Sequence, residues 1–591
     1  MSLSSDHIAT FVILGLMIFS LYKELARPVV IFGIAATCFL LLKIITTEQL
    51  LSGFANEQIA VIILLLIVSS VIQKARLLEL WLAKVFAGAT SYKKFMLRLV
   101  PFSAGVSGFL NNTPIVASFI PFVFTWGKKN GVSPSKVLMP LSFAAILGGT
   151  MTLIGTSTNL IVNGLAKDNG FEGFELFDFT FIGLPLVLLG TVYMVFFGKK
   201  LLPSYADPLE NLKSSTKEYL VETIVAPGSP LIDKTVQDAD LRSLEGLFLV
   251  EIMRGKRKIG PVKPTQNIRM GDHLIFAGET ENIPLLVNSS LGLELPKLKE
   301  IKEQELIELV EAVVSYNSNL AGKKVRETDF RGTFDAAIVA VQRNGERLSG
   351  KIGDIVLANG DLLVLMTGKD FRKRLNRRSF YLLSSIKEIP NLNPVKGWMI
   401  TLGALTVIAL AALKVMSLFE LLSIYVGVSL LLKWIRPVEL QRSLDLNLAF
   451  IAALSLAVGH AMESSGTASL IANAMSSLLG SFGAVGVLMG IYLLTNLLTE
   501  FVTNVAAATL TLPIAISLAA SFGLPMEPFV LCVAFAASFS FLSPIGYQTN
   551  LMVYGPGGYR FRDFFKFGLP LTVLCFLVTI GLLILKYDLI K

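Results

Sequence analysis

Two blocks of this chain, residues 1–202 and 389–591, carry the same polar interruptions in the same order inside otherwise apolar sequence, and this repetition constrains the fold more than any other feature. Residues 152–164 read TLIGTSTNLIVNG and residues 542–555 read LSPIGYQTNLMVYG, so that Gly155 and Gly546, Thr158 and Thr549, Asn159 and Asn550, and Gly164 and Gly555 pair at one offset. Upstream lies a second pair, SGFLNNTPIVASFIP (107–121) and TEFVTNVAAATLTLP (499–513), with Asn112 against Asn504 and a proline closing each. Each half therefore predicts two breaks in its helices. Backbone groups freed by a break cost several kcal/mol in lipid, so such breaks belong where they line a polar cavity.

Composition supplies the lipid. Of 591 residues, 53% are hydrophobic and 16% charged, and the mean hydropathy is +0.66; a soluble protein of this size is not so apolar. Runs approaching the roughly 20 residues that cross a bilayer recur at 7–22, 29–42, 59–71, 177–197, 399–413, 419–434, 448–458 and 569–585. The first lacks a basic n-region and a small-residue cleavage motif, which argues against a cleaved signal peptide. The formal net charge of +9 gathers in short loops between these runs, so it reports topology and gives no reason to expect nucleic acid. Three scattered cysteines and three scattered histidines give no disulfide or metal framework. There is no P-loop, no complete P-type pump signature, no nucleophile–base constellation and no TVGYG-type filter, which leaves a carrier and excludes an enzyme.

Between 203 and 388 the chain turns charged, with strand-like alternation such as GLFLVEIMRG and AAIVAVQRNG. This soluble insert is duplicated: VETIVAPGSPLIDKTV (221–236) aligns with VEAVVSYNSNLAGKKV (310–325), and Gly271-Asp272 with Gly360-Asp361, dividing it into units 203–298 and 299–388. The IDKTV stretch at Ile232 lacks the residues that complete a phosphorylated-aspartate motif and reads as a surface turn. Each unit resembles the TrkA-C (RCK-C) domain, in which such units dimerise and bind small ligands, in some bacteria cyclic di-AMP. The resemblance implies an α/β insert with a regulatory role.

With Met1 outside, the basic loops at 22–28, 91–94 and 127–131 and the whole insert fall on the cytoplasmic side, and the acid-rich segment 166–178 falls outside. Five crossings per half then invert the second half relative to the first, the geometry of inverted-repeat carriers in a cell membrane. A broken helix offers N–H groups and partial positive charge at one end and free carbonyls at the other. Asn111, Asn112, Thr113, Thr503 and Asn504 add amides and hydroxyls without fixed charge. Sodium with a small oxyanion suits that set.

These motifs resemble the divalent anion/sodium symporter (DASS) family of the ion transporter superfamily; GGTMTLIGTSTNLIV and SPIGYQTNLMVYGPGGYRFRDFFKFGLPL carry the likeness. The resemblance implies a polytopic α-helical membrane protein of two inverted repeats with re-entrant hairpins, working as a homodimer by an elevator motion, with no cofactor beyond its coupling ions. It implies substrate contacts at Asn112, Thr113, Thr156, Asn504 and Val505. Sodium would be held by Ser107, Asn111, Asn112 and Gly155 in the first half and by Thr499, Thr503, Asn504 and Gly546 in the second. Thr158, Asn159, Thr549 and Asn550 would support the broken helices. The first tip opens with Asn111 where the family has serine, and the second ends in Val505 where it has threonine. NNTP together with the insert resembles the sulfate-transporting branch, so the expected substrate is sulfate or a dicarboxylate. Glu500, intramembrane and next to Thr499, is a candidate proton relay; it keeps a proton-coupled anion carrier and a cation/proton antiporter as alternatives.

Overall fold

In the computed structural model, the described residues are 4–23, 25–75, 81–82, 84–205, 220–241, 247–255, 257–259, 262–278, 291–294, 309–315, 318–343, 346–348, 352–368, 370–374, 379–383, 394–437, 440 and 446–589. The unit boundaries expected near 298 and 388 lie outside them. Among the described residues, eight helices are long and apolar enough to cross a membrane, and the pair Asn112–Lys129 and Pro134–Gly149 is bent by 119°.

The first half runs α1 (Ser5–Tyr22), α2 (Pro28–Leu41), α3 (Thr47–Ser52), α4 (Glu57–Ala75), α5 (Tyr92–Ser107), α6 (Asn112–Lys129), α7 (Leu138–Gly149), α8 (Ser157–Asp168) and α9 (Thr180–Leu201). The second runs α10 (Pro394–Ala412), α11 (Leu418–Leu431), α12 (Leu446–Ser464), α13 (Thr467–Leu479), α14 (Gly483–Phe501), α15 (Asn504–Ser521), α16 (Met526–Ser538), α17 (Gln548–Tyr554) and α18 (Phe561–Tyr587). Local chemistry sets the ends: Ser91 caps α5 by accepting from Lys94 N–H, and Pro28 opens α2 with its φ already helical.

The α5–α6 and α14–α15 pairs are the two hairpins, and α7–α8 and α16–α17 are the two interrupted helices. Each hairpin packs on its own interrupted helix, α5 on α7 and α14 on α16, while its second arm reaches the half-helix of the other repeat, α6 on α17 and α15 on α8. Two glycines permit the close approach of α9 and α18 to the broken loops: a Cβ on Gly183 would meet the Met151 backbone at 2.7 Å, and one on Gly568 the Phe541 carbonyl at 2.1 Å. At the centre Phe143 lies 4.8 Å from Phe541 and 5.6 Å from Phe567, so the halves share one core. In lipid such contacts stabilise through packing, because apolar side chains gain nothing merely by leaving the bilayer.

The insert holds two five-stranded antiparallel sheets. The first uses β1 (Leu220–Val225), β2 (Leu247–Arg254), β3 (Arg257–Ile259), β4 (His273–Gly278) and β5 (Leu293–Glu294) in the order β3-β2-β4-β1-β5. The second uses β6 (Leu309–Val314), β7 (Ala336–Arg343), β8 (Glu346–Arg347), β9 (Leu362–Thr367) and β10 (Phe380–Leu382) in the corresponding order. Registers match as well: Val221 opposes Phe276 as Val310 opposes Leu365, and the irregularity at Leu249/Glu251 recurs at Ile338/Ala340. The paired Gly-Asp steps have one cause. Each glycine adopts positive φ, +74° at Gly271 and +82° at Gly360. Each buried aspartate then takes a two-pronged arginine, Asp272 from Arg254 at 2.8 and 2.7 Å and Asp361 from Arg343 at 2.7 Å twice. The carboxylates raise both guanidinium pKa values above the ordinary arginine range. Within the IDKTV segment Asp233, at φ +64°, and Lys234 are exposed, while Val236 is buried in the core of the first module.

The two modules differ in what they touch. Gly271 stands clear, with nothing near the position of a Cβ, whereas a Cβ on Gly555 of the α17 end would lie 2.0 Å from the Gly360 carbonyl. Val313, Leu362 and Leu383 join the buried cluster of the membrane helices, and Lys128 at the end of α6 pairs with the buried Glu311 at 3.4 Å. The second module is docked on the hairpin and the half-helix.

Candidate functional site

Both hairpin tips present the same hydroxyl–amide arrangement. In the first, Ser107 Oγ lies 2.5 Å from Asn112 Oδ1 and 2.9 Å from the Ala145 carbonyl of α7. In the second, Thr499 Oγ1 lies 2.8 Å from Asn504 Oδ1 and 2.7 Å from the Ala537 carbonyl of α16. Ser107 and Thr499 are fully buried. One hydroxyl proton faces two acceptors in each triad, so one oxygen pair always lacks a proton between its members. A small dehydrated cation is the charge such an oxygen-rich, proton-poor cluster favours.

The broken loops are tied down by the same logic. Asn159 donates to the Thr152 carbonyl at 2.9 Å, and Asn550 donates to Ser540 and Ser543 carbonyls at 2.7 and 3.2 Å. Thr152 donates to the Gly108 carbonyl as Ser543 donates to the Glu500 carbonyl at 3.1 Å. These side chains satisfy carbonyls that the interrupted helices leave open. Gly155 and Gly546 let the loops close: a Cβ would meet the Gly149 carbonyl at 2.5 Å in the first and Ser540 Oγ at 2.0 Å in the second. Thr158 and Thr549 are buried beside them, and Ser142 Oγ sits 2.8 Å from Thr549 Oγ1 and 2.7 Å from Asn550 Oδ1.

The symmetry then fails at the centre. Asn112 Nδ2 donates to the Tyr547 hydroxyl at 2.7 Å, and Thr113 Oγ1 donates to Gln548 Oε1 at 3.0 Å, both acceptors coming from the second broken loop. Thr156, at the position equivalent to Tyr547, is buried. In the second hairpin Asn504 Nδ2 is buried with no hydrogen-bond partner among the described residues, on a residue only 5% exposed, and Val505 offers no polar side-chain atom. A buried donor left unmade costs on the order of 1–3 kcal/mol, which a bound acceptor would recover. Thr503 is committed to capping α15, accepting from Ala506 N–H at 3.3 Å. Asn111 makes no such capping bond and lines a small cavity against α4 with Ile154 and Ser157, apart from the Ser107 triad.

Glu500 is 7% exposed and stands where the first hairpin has Gly108. Its Oε1 accepts from Leu542 N–H at 2.9 Å and its Oε2 from Ser540 Oγ at 3.2 Å. His460 and Glu463 pair at 3.9 Å at the end of α12, with His460 Nε2 3.4 Å from Ser52 Oγ. Tyr547, Gln548, Ser142 and Gly149, whose Cβ would meet Asn112 Oδ1 at 2.6 Å, were not singled out by the sequence; the only signal for the first two was their place inside a repeated segment where the repeats disagree.

Residues 11–529 match the family described as Citrate transporter. A Chlamydomonas reinhardtii protein provisionally named a sulfur deprivation response regulator is 33% identical over 94% of this chain and 97% of its own length. An uncharacterized transporter of Synechocystis sp. is 32% identical over 94% of this chain and 93% of its own. Sodium/sulfate cotransporter 1 of Chlamydomonas reinhardtii is 32% identical over 55% of this chain and 39% of its own. With paired hairpins, paired interrupted helices and a family match across most of its length, the chain belongs to the citrate transporter family of DASS-type membrane transporters.

Proposed function

We propose that the chain is a sodium-coupled symporter of a compact oxyanion, sulfate first, which alternates access by moving the hairpins and interrupted helices as one body against α4 and α12 within a homodimer. The observation that carries this reading is the pair of hydroxyl–amide–carbonyl triads at the hairpin tips together with the unpartnered Asn504 amide. The triads supply oxygens for sodium. The amide donor and the N-terminus of α15 supply a place for anion oxygens, and the sodium charges offset the anion's own. Relatives named sodium/sulfate cotransporters support the substrate. The docked second module gives the insert, on the cytoplasmic side, a physical route to regulate the site. Labelled sulfate uptake into proteoliposomes should require an inward sodium gradient; absence of sodium-dependent uptake of sulfate or any dicarboxylate would sink the reading. Deletion of residues 205–388 with a short linker should leave transport with altered regulation.

Glu500 supports a second reading, a proton-coupled carrier, because it is a buried carboxyl beside Thr499. Sulfate uptake driven by a pH gradient in sodium-free buffer, abolished by Glu500→Gln, is its test.

A further inference from the structure

The repeat predicts a twofold-symmetric binding site, and the structure fills one half of it with protein. Tyr547 and Thr156 are equivalent positions, each the last residue before the second half of an interrupted helix. Symmetry would place a small hydroxyl at both. Instead the Tyr547 ring crosses from the second broken loop to the first hairpin, and its hydroxyl takes the Asn112 amide at 2.7 Å. Gln548 beside it takes the Thr113 hydroxyl at 3.0 Å. The Asn112 amide and the Thr113 hydroxyl thereby each give a donor to the second repeat. Across from them the equivalent amide, Asn504 Nδ2, keeps its donor without a partner, and the position equivalent to Thr113 is Val505.

We propose that Tyr547 is the residue that sets the size of the anion. An elongated dicarboxylate needs a donor set at each end, and in this site one set is spent on Tyr547 and Gln548 while the ring takes the space a second carboxylate needs. A single-centre tetrahedral oxyanion needs one donor set and little length, and the Asn504 side supplies that. Specificity here works by exclusion: a bulky group and an engaged donor act against the larger ligand, with no added attraction for the smaller one. It rests on the oxyanion-symport reading above.

The test compares sodium-dependent uptake of labelled sulfate and labelled succinate by the full-length wild type, Tyr547→Thr and Tyr547→Phe, all checked for folding by size-exclusion profile and thermal unfolding. The wild type is expected to take up sulfate and not succinate. Tyr547→Thr, which restores the residue of the first repeat, is expected to gain succinate uptake at least tenfold over wild type and to keep sulfate uptake. Tyr547→Phe keeps the ring and loses the hydroxyl, so it is expected to go on excluding succinate. A folded Tyr547→Thr that transports sulfate but still no succinate overturns the proposal, and so does a wild type that carries both. Failure of wild type to carry sulfate or any dicarboxylate is a different result, since it removes the symport reading itself.

Discussion

The hydroxyl contacts at the two hairpin tips agree to within about 0.3 Å at their buried ends, and the amides beside them differ in what they meet. Ser107 and Thr499 do the same thing with Asn112 and Asn504 and with a carbonyl of the following helix. Towards the centre, Asn112 is engaged by Tyr547 while the Asn504 amide has no partner, and Gly108 faces Glu500 as its counterpart. The buried ends teach what both halves must conserve physically, an oxygen cluster short of protons. The amides and their neighbours show where the halves were free to diverge.

The largest effects should separate the two amides. Asn504→Ala removes a donor to the anion and an acceptor from its triad; loss of a charge-assisted hydrogen bond worth about 2–3 kcal/mol predicts a fall of roughly 30- to 150-fold in kcat/KM for sulfate. Asn112→Ala should raise the KM for sulfate much less, because its amide is already bound to Tyr547; equal KM effects would break the asymmetry. Next come the hydroxyls. Ser107→Ala and Thr499→Val each delete one oxygen of a triad, and about 1–1.4 kcal/mol lost predicts a roughly five- to tenfold rise in the sodium concentration for half-maximal uptake. The two should match each other, and a shift in only one would show that the triads are not equivalent.

A smaller effect distinguishes the paired glycines that end the interrupted segments. A Cβ at position 555 would strike the Gly360 backbone at 2.0 Å, whereas at position 164 it would meet side chains, Asn56 Oδ1 at 3.2 Å and Gln58 Cβ at 3.4 Å. Overpacking against backbone costs about 1–3 kcal/mol, so Gly555→Ala should loosen the second module, seen as faster limited proteolysis of the insert and a thermal midpoint a few degrees lower. Gly164→Ala should leave both nearly unchanged. The smallest effect is expected at Glu500→Gln, which keeps an oxygen to accept from Leu542 N–H: sodium-driven sulfate uptake should change less than about threefold. A larger loss, accompanied by loss of its pH dependence, would favour proton coupling.

What the sequence made legible was whatever the repeat could align. Asn112 and Asn504, Ser107 and Thr499, and the Asn159/Asn550 ties stand out because each occurs twice at one offset, and the physics that requires them, satisfying broken backbone away from water, acts in both halves. The duplicated Gly-Asp step of the insert was legible for the same reason, and its cause emerged as a left-handed turn with a buried aspartate holding an arginine. Tyr547 and Gln548 were not legible, because alignment discards the positions where the copies disagree. Nor was the docking of the second module, since Gly271 and Gly360 are the same residue in the same turn and only the assembled structure shows that one is covered and the other open.

That covered turn gives the insert a short lever. Between Gly360 and the proposed anion site stands a single half-helix, α17, seven residues from Gln548 to Tyr554 and so about 10 Å long at the rise of an α-helix. Its far end touches the insert at Gly555, and its near end carries the groups that hold Thr113 and Asn112. A molecule that binds the second module more tightly when it is seated than when it is not must, by linkage, favour whichever position of α17 the seated module fits, and the transported anion must exert the same bias in return. The carrier's cargo and the cell's signal to it would then read one another's concentration through one and the same roughly two turns of helix.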